Sequence, residues 1–243
     1  MDNEWFRDFF DGIAVDFWMA VAPPPDDDVA FLKTMFEDSG EILDLACGAG
    51  RHTIPLAHAG YRMTGVDVSP TFLDVGRALS RPVALKPDLR LGDMRDLPWR
   101  DRFDGAICFG NSFGYIGREG TRDGIAALAR ALKRGAAFVL ETGATAESLL
   151  PSLQRERSMQ VGDIAYSSLA SYDVMESRLD VEYTFIRGPE RETKTASTSI
   201  FTLAELREMF ERCGFAVEGA YASAKRDPFT LGSPRLLFVA RKS

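Results

Sequence analysis

The 243 residues suit one large α/β domain with a small appended lobe, and 45% hydrophobic against 27% charged residues is a globular balance that excludes wholesale disorder. No apolar run approaches the ~18–20 residues of a membrane-spanning helix, and the acidic, aromatic start is unlike a basic-then-apolar leader, so a cytoplasmic protein with no membrane partner is expected. A formal net charge of −7 disfavours nucleic-acid phosphates and anionic membranes as general partners.

Residues 3–37 carry short helical patterns rich in aromatics: Trp5, Phe6, Phe9 and Phe10, then Phe17 and Trp18. Pro23-Pro24-Pro25 interrupts them, and Asp26-Asp27-Asp28 supplies acids for the start of a helix over Val29 to Glu37. Such a segment either packs on the main domain as core or closes over a cleft, and residues 1–40 are taken as an N-terminal helical lid.

From Glu41 to Glu141 short apolar runs alternate with helical ones. Strands are predicted at Ile42–Ala46, Arg62–Val66, Ala84–Leu91, Phe103–Phe109 and Ala136–Glu141, and helices at Arg51–Ala59, Pro70–Ser80 and Arg122–Leu132. Ile125, Leu128, Ala129 and Leu132 give the last helix one apolar stripe, and Ser69-Pro70 supplies an N-cap followed by proline at the first helical position. This alternation predicts a mostly parallel sheet wrapped by helices.

After Gly143 the texture changes. Leu179, Val181, Tyr183 and Phe185 alternate with polar residues as a half-buried strand, and β-prone stretches near Ile164–Tyr172 and Thr193–Phe201 complete an antiparallel meander over 158–201. Thr202-Leu-Ala-Glu205 is a capping box with Gly214 as the stop, and strands at Phe215–Tyr221 and Leu236–Ala240 close the chain. The core is then 41–157 with 202–243.

Chemistry concentrates at the ends of these strands. An apolar strand runs into Gly48-x-Gly50 and then a helix, so backbone can turn sharply and approach a ligand while the helix start offers N–H groups. A dinucleotide site needs a third small residue where Thr53 stands, and Asp44 precedes the first glycine by four positions; a ligand with an amino-acid moiety and no pyrophosphate fits better. Asp67 ends the second strand, 19 positions beyond Gly48, where a carboxylate can accept from both ribose hydroxyls.

These residues, with Leu91-Gly-Asp93-Met94 after strand three and Phe103-Asp-Gly-Ala-Ile-Cys-Phe109 in strand four, resemble the class I S-adenosylmethionine-dependent methyltransferases, whose first motif is (D/E)-x-x-x-G-x-G. The resemblance covers 41–142 and implies a Rossmann-like fold, a seven-stranded mostly parallel sheet with an antiparallel last strand, carrying the meander as an insertion. It implies S-adenosylmethionine as cofactor, leaving as S-adenosylhomocysteine. Asp44 would act near the methionyl amino group; Ala46, Gly48 and Gly50 would present backbone; Asp93 would accept from the adenine amino group with Met94 against the ring. Val68, Phe109 and Asn111 complete the expected cofactor set.

The segment Phe109-Gly-Asn111-Ser112-Phe113-Gly114-Tyr115 should lie between cofactor and acceptor, and it is not the (D/N)-P-P-(Y/F) motif of base-amine methyltransferases. An N or O atom of a small molecule is the expected acceptor; RNA or protein acceptors, or a non-catalytic nucleoside-binding module, are the alternatives. Glu141 is the candidate base and Tyr115 a hydrogen-bonding orienter. Phe9, Phe17, Trp18, Ser112 and Phe113 are candidate acceptor contacts. Arg235 either pairs with an acidic acceptor or extends its stem at the start of the final strand.

Cys47, Cys108 and Cys213 are widely separated and read as reduced thiols. His52 and His58 lack a metal-ligand pattern, so no metal is expected; His52 opens a helix beside the glycine loop and His58 is read as solvated. Tyr221-x-x-x-Lys225 matches a dehydrogenase string but falls on a predicted strand, where the two side chains stand ~13 Å apart. By the resemblance, the meander would cover the acceptor or build a homodimer contact.

Overall fold

The computed structural model describes residues 4–243. Three helices precede the first strand: α1 (Phe6–Phe9), α2 (Gly12–Val21) and α3 (Asp26–Lys33). Then come β1 (Glu41–Leu45), α4 (Thr53–His58), β2 (Arg62–Asp67), α5 (Pro70–Leu79), β3 (Asp88–Leu91), β4 (Phe103–Cys108), α6 (Gly117–Ala131), β5 (Leu132–Thr142) and α7 (Ala146–Leu149). Four strands follow, β6 (Glu156–Val161), β7 (Ile164–Asp173), β8 (Arg178–Arg187) and β9 (Glu190–Ser199), before α8 (Leu203–Arg212), β10 (Phe215–Tyr221) and β11 (Leu236–Lys242).

The main sheet has the order β10-β11-β5-β4-β1-β2-β3. Only β11 runs against its neighbours, so the expected mostly parallel seven-stranded sheet with an antiparallel last strand is what forms. Both faces are covered. Ile42, Ile107, Val139 and Leu237 meet Phe31 and Leu32 of α3 and Leu56 of α4, while Leu43, Cys108, Phe138 and Phe238 meet Ile125 and Leu128 of α6 and Phe210 of α8. Alternate residues of each strand therefore serve opposite cores, as the pleat requires.

Two boundaries differ usefully from the sequence reading. Helix α6 starts at Gly117, five residues before the predicted Arg122, across Gly120 and Gly124. Glycine weakens a helix, yet a Cβ on Gly120 would stand 3.1 Å from Ile116 and 3.3 Å from Arg95, and one on Gly124 3.6 Å from Met94. Small residues let α6 approach the loop after β3. Strand β3 is shorter than predicted, beginning at Asp88, because Pro87 and the turn before it fall outside the ladder with β2.

The meander is four-stranded, β6-β7-β8-β9, antiparallel throughout. The extra strand, β6, begins at Glu156 within the predicted core and is exposed along nearly its whole length, which is why no apolar alternation announced it. The inner face of the meander packs on α2: Phe17 stacks on Tyr166 at 4.5 Å and lies against Phe185 at 5.3 Å, with Ile13, Ala14 and Ile164 in the same cluster. Burying each such ring contributes about 1.5–3 kcal/mol. The Glu192 carboxylate of β9 accepts from Ile13 N at 2.9 Å, capping the exposed amides at the start of α2. Trp5 Nε1 donates to Ser197 O at 2.9 Å, and Lys194 pairs with Asp11. The N-terminal segment and the meander thus hold one another.

Candidate active site

The carboxyl ends of β1, β2, β4 and β5, the N-terminal segment and the inner face of the meander enclose one cavity of about 680 Å³. This is the place where ligands bind an open α/β sheet, beside the point at which strand order reverses between β1 and β4. Its volume lies in the ~300–1,000 Å³ range of small-molecule sites.

At the floor, β1 delivers Asp44, fully buried, with Thr53 Oγ1 donating to it at 2.5 Å. Burial pushes this carboxyl up to about 7; nearby Asp67 adds to the rise, and the Thr53 hydroxyl and Arg51 oppose it. A carboxylate desolvated this far and lacking an ion-pair partner is a site for a cation. Asp67 ends β2 with one oxygen accepting Gly48 N and the other Ser69 N, each at 2.8 Å. Burial raises its carboxyl too, against the backbone amides of Ser69, Gly48 and Val68. These amides fix the carboxylate across the cavity wall.

The glycine loop divides its work. Gly48 has φ +54°, lines the cavity, and no atom stands within 4 Å of where its Cβ would be. Gly50, expected in the same role, does not line the cavity; at φ +83° its contribution is the turn into α4, and its Cβ position is crowded by Ile54 at 3.1 Å. Ala46, itself at φ +53°, and Val68 do line it.

Asp93 lies in the loop after β3, and its carboxylate is heavily engaged. Oδ1 accepts Arg95 N and Nε at 2.9 Å; Oδ2 accepts Arg95 at 2.6 Å and Arg7 of α1 at 2.8 Å. Despite partial burial, these guanidinium groups hold it below its ordinary range. Arg95 also pairs with Glu4 at 2.8 Å. Met94 lines the cavity and packs into the core beside α6.

Glu141 reaches the cavity from the end of β5, where Gly110 N donates to it at 3.0 Å. Burial raises its carboxyl, opposed by that amide and by Arg235. Arg235 faces the cavity but is committed to neither expected role: it forks onto Asp28 of α3 at 2.8 and 3.2 Å. Burial opposes ionisation of Asp28, yet His52 and Arg235 beside it hold the carboxyl at about 2. His52 is buried against Phe109 at 4.2 Å and Asp28 at 3.5 Å; burial lowers its pKa, which favours the neutral ring. Asn111, at φ +71°, accepts from Gly143 N at 2.6 Å and Thr142 Oγ1 at 3.0 Å, joining the loops after β4 and β5.

The chain matches the family described as Methyltransferase domain over residues 42–135. It is 31% identical over 219 residues to the cypemycin N-terminal methyltransferase of a Streptomyces species, covering 84% of each chain. The chain belongs to the S-adenosylmethionine-dependent methyltransferase family. This methyltransferase is also 27% identical over 202 residues to dTDP-3-amino-3,6-dideoxy-alpha-D-glucopyranose N,N-dimethyltransferase of Streptomyces fradiae, across 78% of this chain and 75% of that one. Its fold superposes on the CcbJ methyltransferase of Streptomyces caelestis with TM-score 0.84 and 19% identity, covering both chains completely.

Of the acceptor candidates in the methyltransferase, Phe9, Trp18 and Ser112 line the cavity. Phe17 and Phe113 do not. Phe17 is 1% exposed beneath the meander, and Phe113 is 3% exposed, stacked on Phe210 at 5.7 Å. Each fills a core because its position points away from the strand ends. Tyr115 does face the cavity, with Trp5 at 4.9 Å and Phe10 at 6.2 Å, and burial pushes its phenol up to about 12. Sequence reasoning missed Phe10, Arg157 and Tyr183 as cavity residues. Tyr183 alone carried a signal, its place in the alternating run of β8.

His58 is exposed as expected, and Cys47 and Cys108 are buried thiols. The Tyr221…Lys225 string is split: β10 ends at Tyr221 and Lys225 sits in the following turn. Among the described residues no cluster of metal-ligating side chains is present, and no helix is long and apolar enough to cross a membrane.

Proposed function

We propose that this methyltransferase methylates the nitrogen of a small-molecule amine. S-adenosylmethionine, when bound, would supply an electrophilic methyl carbon on a sulfonium leaving group to the acceptor's lone pair. The residues present fit it: Asp44 is a buried carboxylate awaiting an ammonium, Gly48 leaves room for a ligand, and Asp67 stands where ribose hydroxyls would donate. Asp93 would meet adenine only by sharing lone pairs with Arg7 and Arg95.

The observation that carries the amine reading is Glu141. It is a desolvated carboxylate on the wall of a cavity that Trp5, Phe9, Phe10 and Tyr115 also line, and its neighbouring guanidinium, Arg235, is already neutralised by Asp28. An amine becomes cationic as it is alkylated; a buried carboxylate and aromatic faces favour that charge, and the carboxylate can take its proton. The remaining task is positioning and exclusion of water, which the lid and meander perform together. Because the meander's inner face lines the cavity, we assign it to acceptor cover before homodimer contact. The unpaired thiols suit a reducing cytoplasm.

The activities for which the two relatives are named, on cypemycin's N-terminus and on an amino sugar nucleotide, support an amine acceptor. A peptide N-terminal amine is the second reading, favoured by the more identical relative. The test is formation of S-adenosylhomocysteine with a panel of primary amines, their hydroxyl counterparts and short peptides. Turnover of amines above hydroxyl counterparts supports the assignment; hydroxyl turnover alone overturns it.

A further inference from the structure

The charged groups of the cavity wall are sorted by sign and by place. Its carboxylates, Asp44, Asp67, Asp93 and Glu141, stand at or just beyond the ends of the parallel strands. Three guanidinium groups line the same wall, Arg51, Arg157 and Arg235. Arg235 is committed to Asp28. Arg51 donates to Pro23 O at 3.1 Å, and its charge opposes the burial that raises Asp44, so it belongs to the strand-end side. Arg157 differs from both: among the described residues, no carboxylate or other acceptor meets its side chain.

The ladder fixes which way Arg157 points. On β6 it lies opposite Ser168 of β7, which lies opposite Tyr183 of β8, which lies opposite Lys194 of β9. Directly opposed residues project from one face of a sheet, so Arg157 shares the inner face with Tyr183, itself a cavity residue. Burial raises the phenols of Tyr183 and Tyr166, and the Arg157 charge opposes that rise at both, as a guanidinium on this face must. The other cation of the row, Lys194, is paired with Asp11. Arg157 is exposed, so its fork of N–H donors is open to a ligand.

We infer that Arg157 is a specificity-determining residue, and that the methyl acceptor is an amine carrying an anionic group, a carboxylate or a phosphate, on the side away from its nitrogen. The inference rests on the small-molecule amine reading and deepens it. An amine drawn to Glu141 at the strand ends turns its far side to the meander, and Arg157 is the one charged residue that the meander contributes to the wall. A guanidinium receives carboxylate or phosphate oxygens in two parallel hydrogen bonds, a match that a neutral oxygen does not make. Carboxylates at the strand ends and a guanidinium on the meander also orient a dipolar acceptor, amine inward, before contact forms.

The test measures S-adenosylhomocysteine formation by the full chain from matched amines, D-glucosamine against D-glucosamine 6-phosphate and hexylamine against 6-aminohexanoate. An anionic member with a KM roughly 5- to 10-fold below that of its neutral counterpart supports the subsite, a factor between an exposed ion pair and a charge-assisted hydrogen bond. The pair that shows it tells phosphate from carboxylate. Arg157→Gln raises the KM of the anionic member to that of its counterpart with kcat little changed, and Arg157→Lys keeps part of the preference. Both variants bind S-adenosylhomocysteine as the wild type does in calorimetry, which a folding defect would not allow. Neutral amines used as well as anionic ones, or a preference that survives Arg157→Gln, overturns the subsite alone. A protein that binds S-adenosylhomocysteine yet turns over none of the amines overturns the amine reading and the subsite with it.

Discussion

Arg7, in the first helical turn of the chain, donates at 2.8 Å to the carboxylate of Asp93, in the loop that follows the third strand of the sheet. Eighty-six positions apart in sequence, the two tie the lid to the loop expected to read adenine. The N-terminal segment therefore touches the loop after β3 as well as lining the cavity through Phe9 and Trp18. On the proposed reading, this contact couples the N-terminal segment to retention of the nucleoside.

Arg7→Ala releases that tie. Arg7 is half exposed, so the pair contributes little to stability, at most about 1 kcal/mol. The melting temperature should stay nearly constant while S-adenosylhomocysteine leaves several-fold faster in stopped-flow measurements. An unchanged dissociation rate would separate the lid from cofactor retention.

Asp44→Asn should stabilise the protein without ligand and weaken cofactor binding. The folded-state pKa is raised to about 7 from 3.8, so the folded chain holds a proton that the unfolded chain gives up. Stability at this site is therefore full below about pH 4 and declines as pH rises toward 7, by an amount on the order of a few kcal/mol. The variant removes that decline. Thermal melts from pH 5 to 8 should show a shallower loss for the variant, while calorimetry shows weaker S-adenosylmethionine binding.

Asp28→Ala leaves Arg235 without its fork and His52 without a carboxylate. Breaking a buried pair by deleting one partner costs about 3–5 kcal/mol, roughly a 6–20 °C fall in melting temperature for a chain of this size. The sign with pH is opposite to that at Asp44. Asp28 is held at about 2, so its contribution is complete above the ordinary value of 3.8 and is lost as pH falls through 2. Acid titration of wild type and variant should converge at the acid end.

Phe17→Ala tests the burial of this ring beneath the meander. Removing a ring that is 1% exposed should cost about 3–5 kcal/mol. At temperatures where the variant is folded, its S-adenosylhomocysteine affinity should match the wild type. A selective loss of amine turnover without loss of stability would return Phe17 to the cavity.

The strand ends were legible because their chemistry is local. Asp44 and Asp67 lie on neighbouring strands and Gly48 in the loop that leaves the first of them; apolar runs and spacing mark all three, and the parallel ladder brings them to one edge. The acceptor side was legible only in part. Whether Phe17 or Trp18 faces the cavity depends on the rotation of α2 beneath the meander, and adjacent aromatics in one helix carry no sign of which side is buried. Asp28 read as a helix-start acid because its partner, Arg235, lies 207 positions away. Strand β6 escaped notice because an exposed edge needs no apolar alternation.

Calorimetric titration of the purified protein with S-adenosylhomocysteine, repeated at pH 8 and pH 6, tests the central claim most directly. One molecule should bind per chain, and affinity should fall as pH drops below about 7, because binding the amino group then requires Asp44 to release its proton. Absence of heat with both the methyl donor and its demethylated product, alongside tight binding of a nicotinamide dinucleotide, would contradict the account.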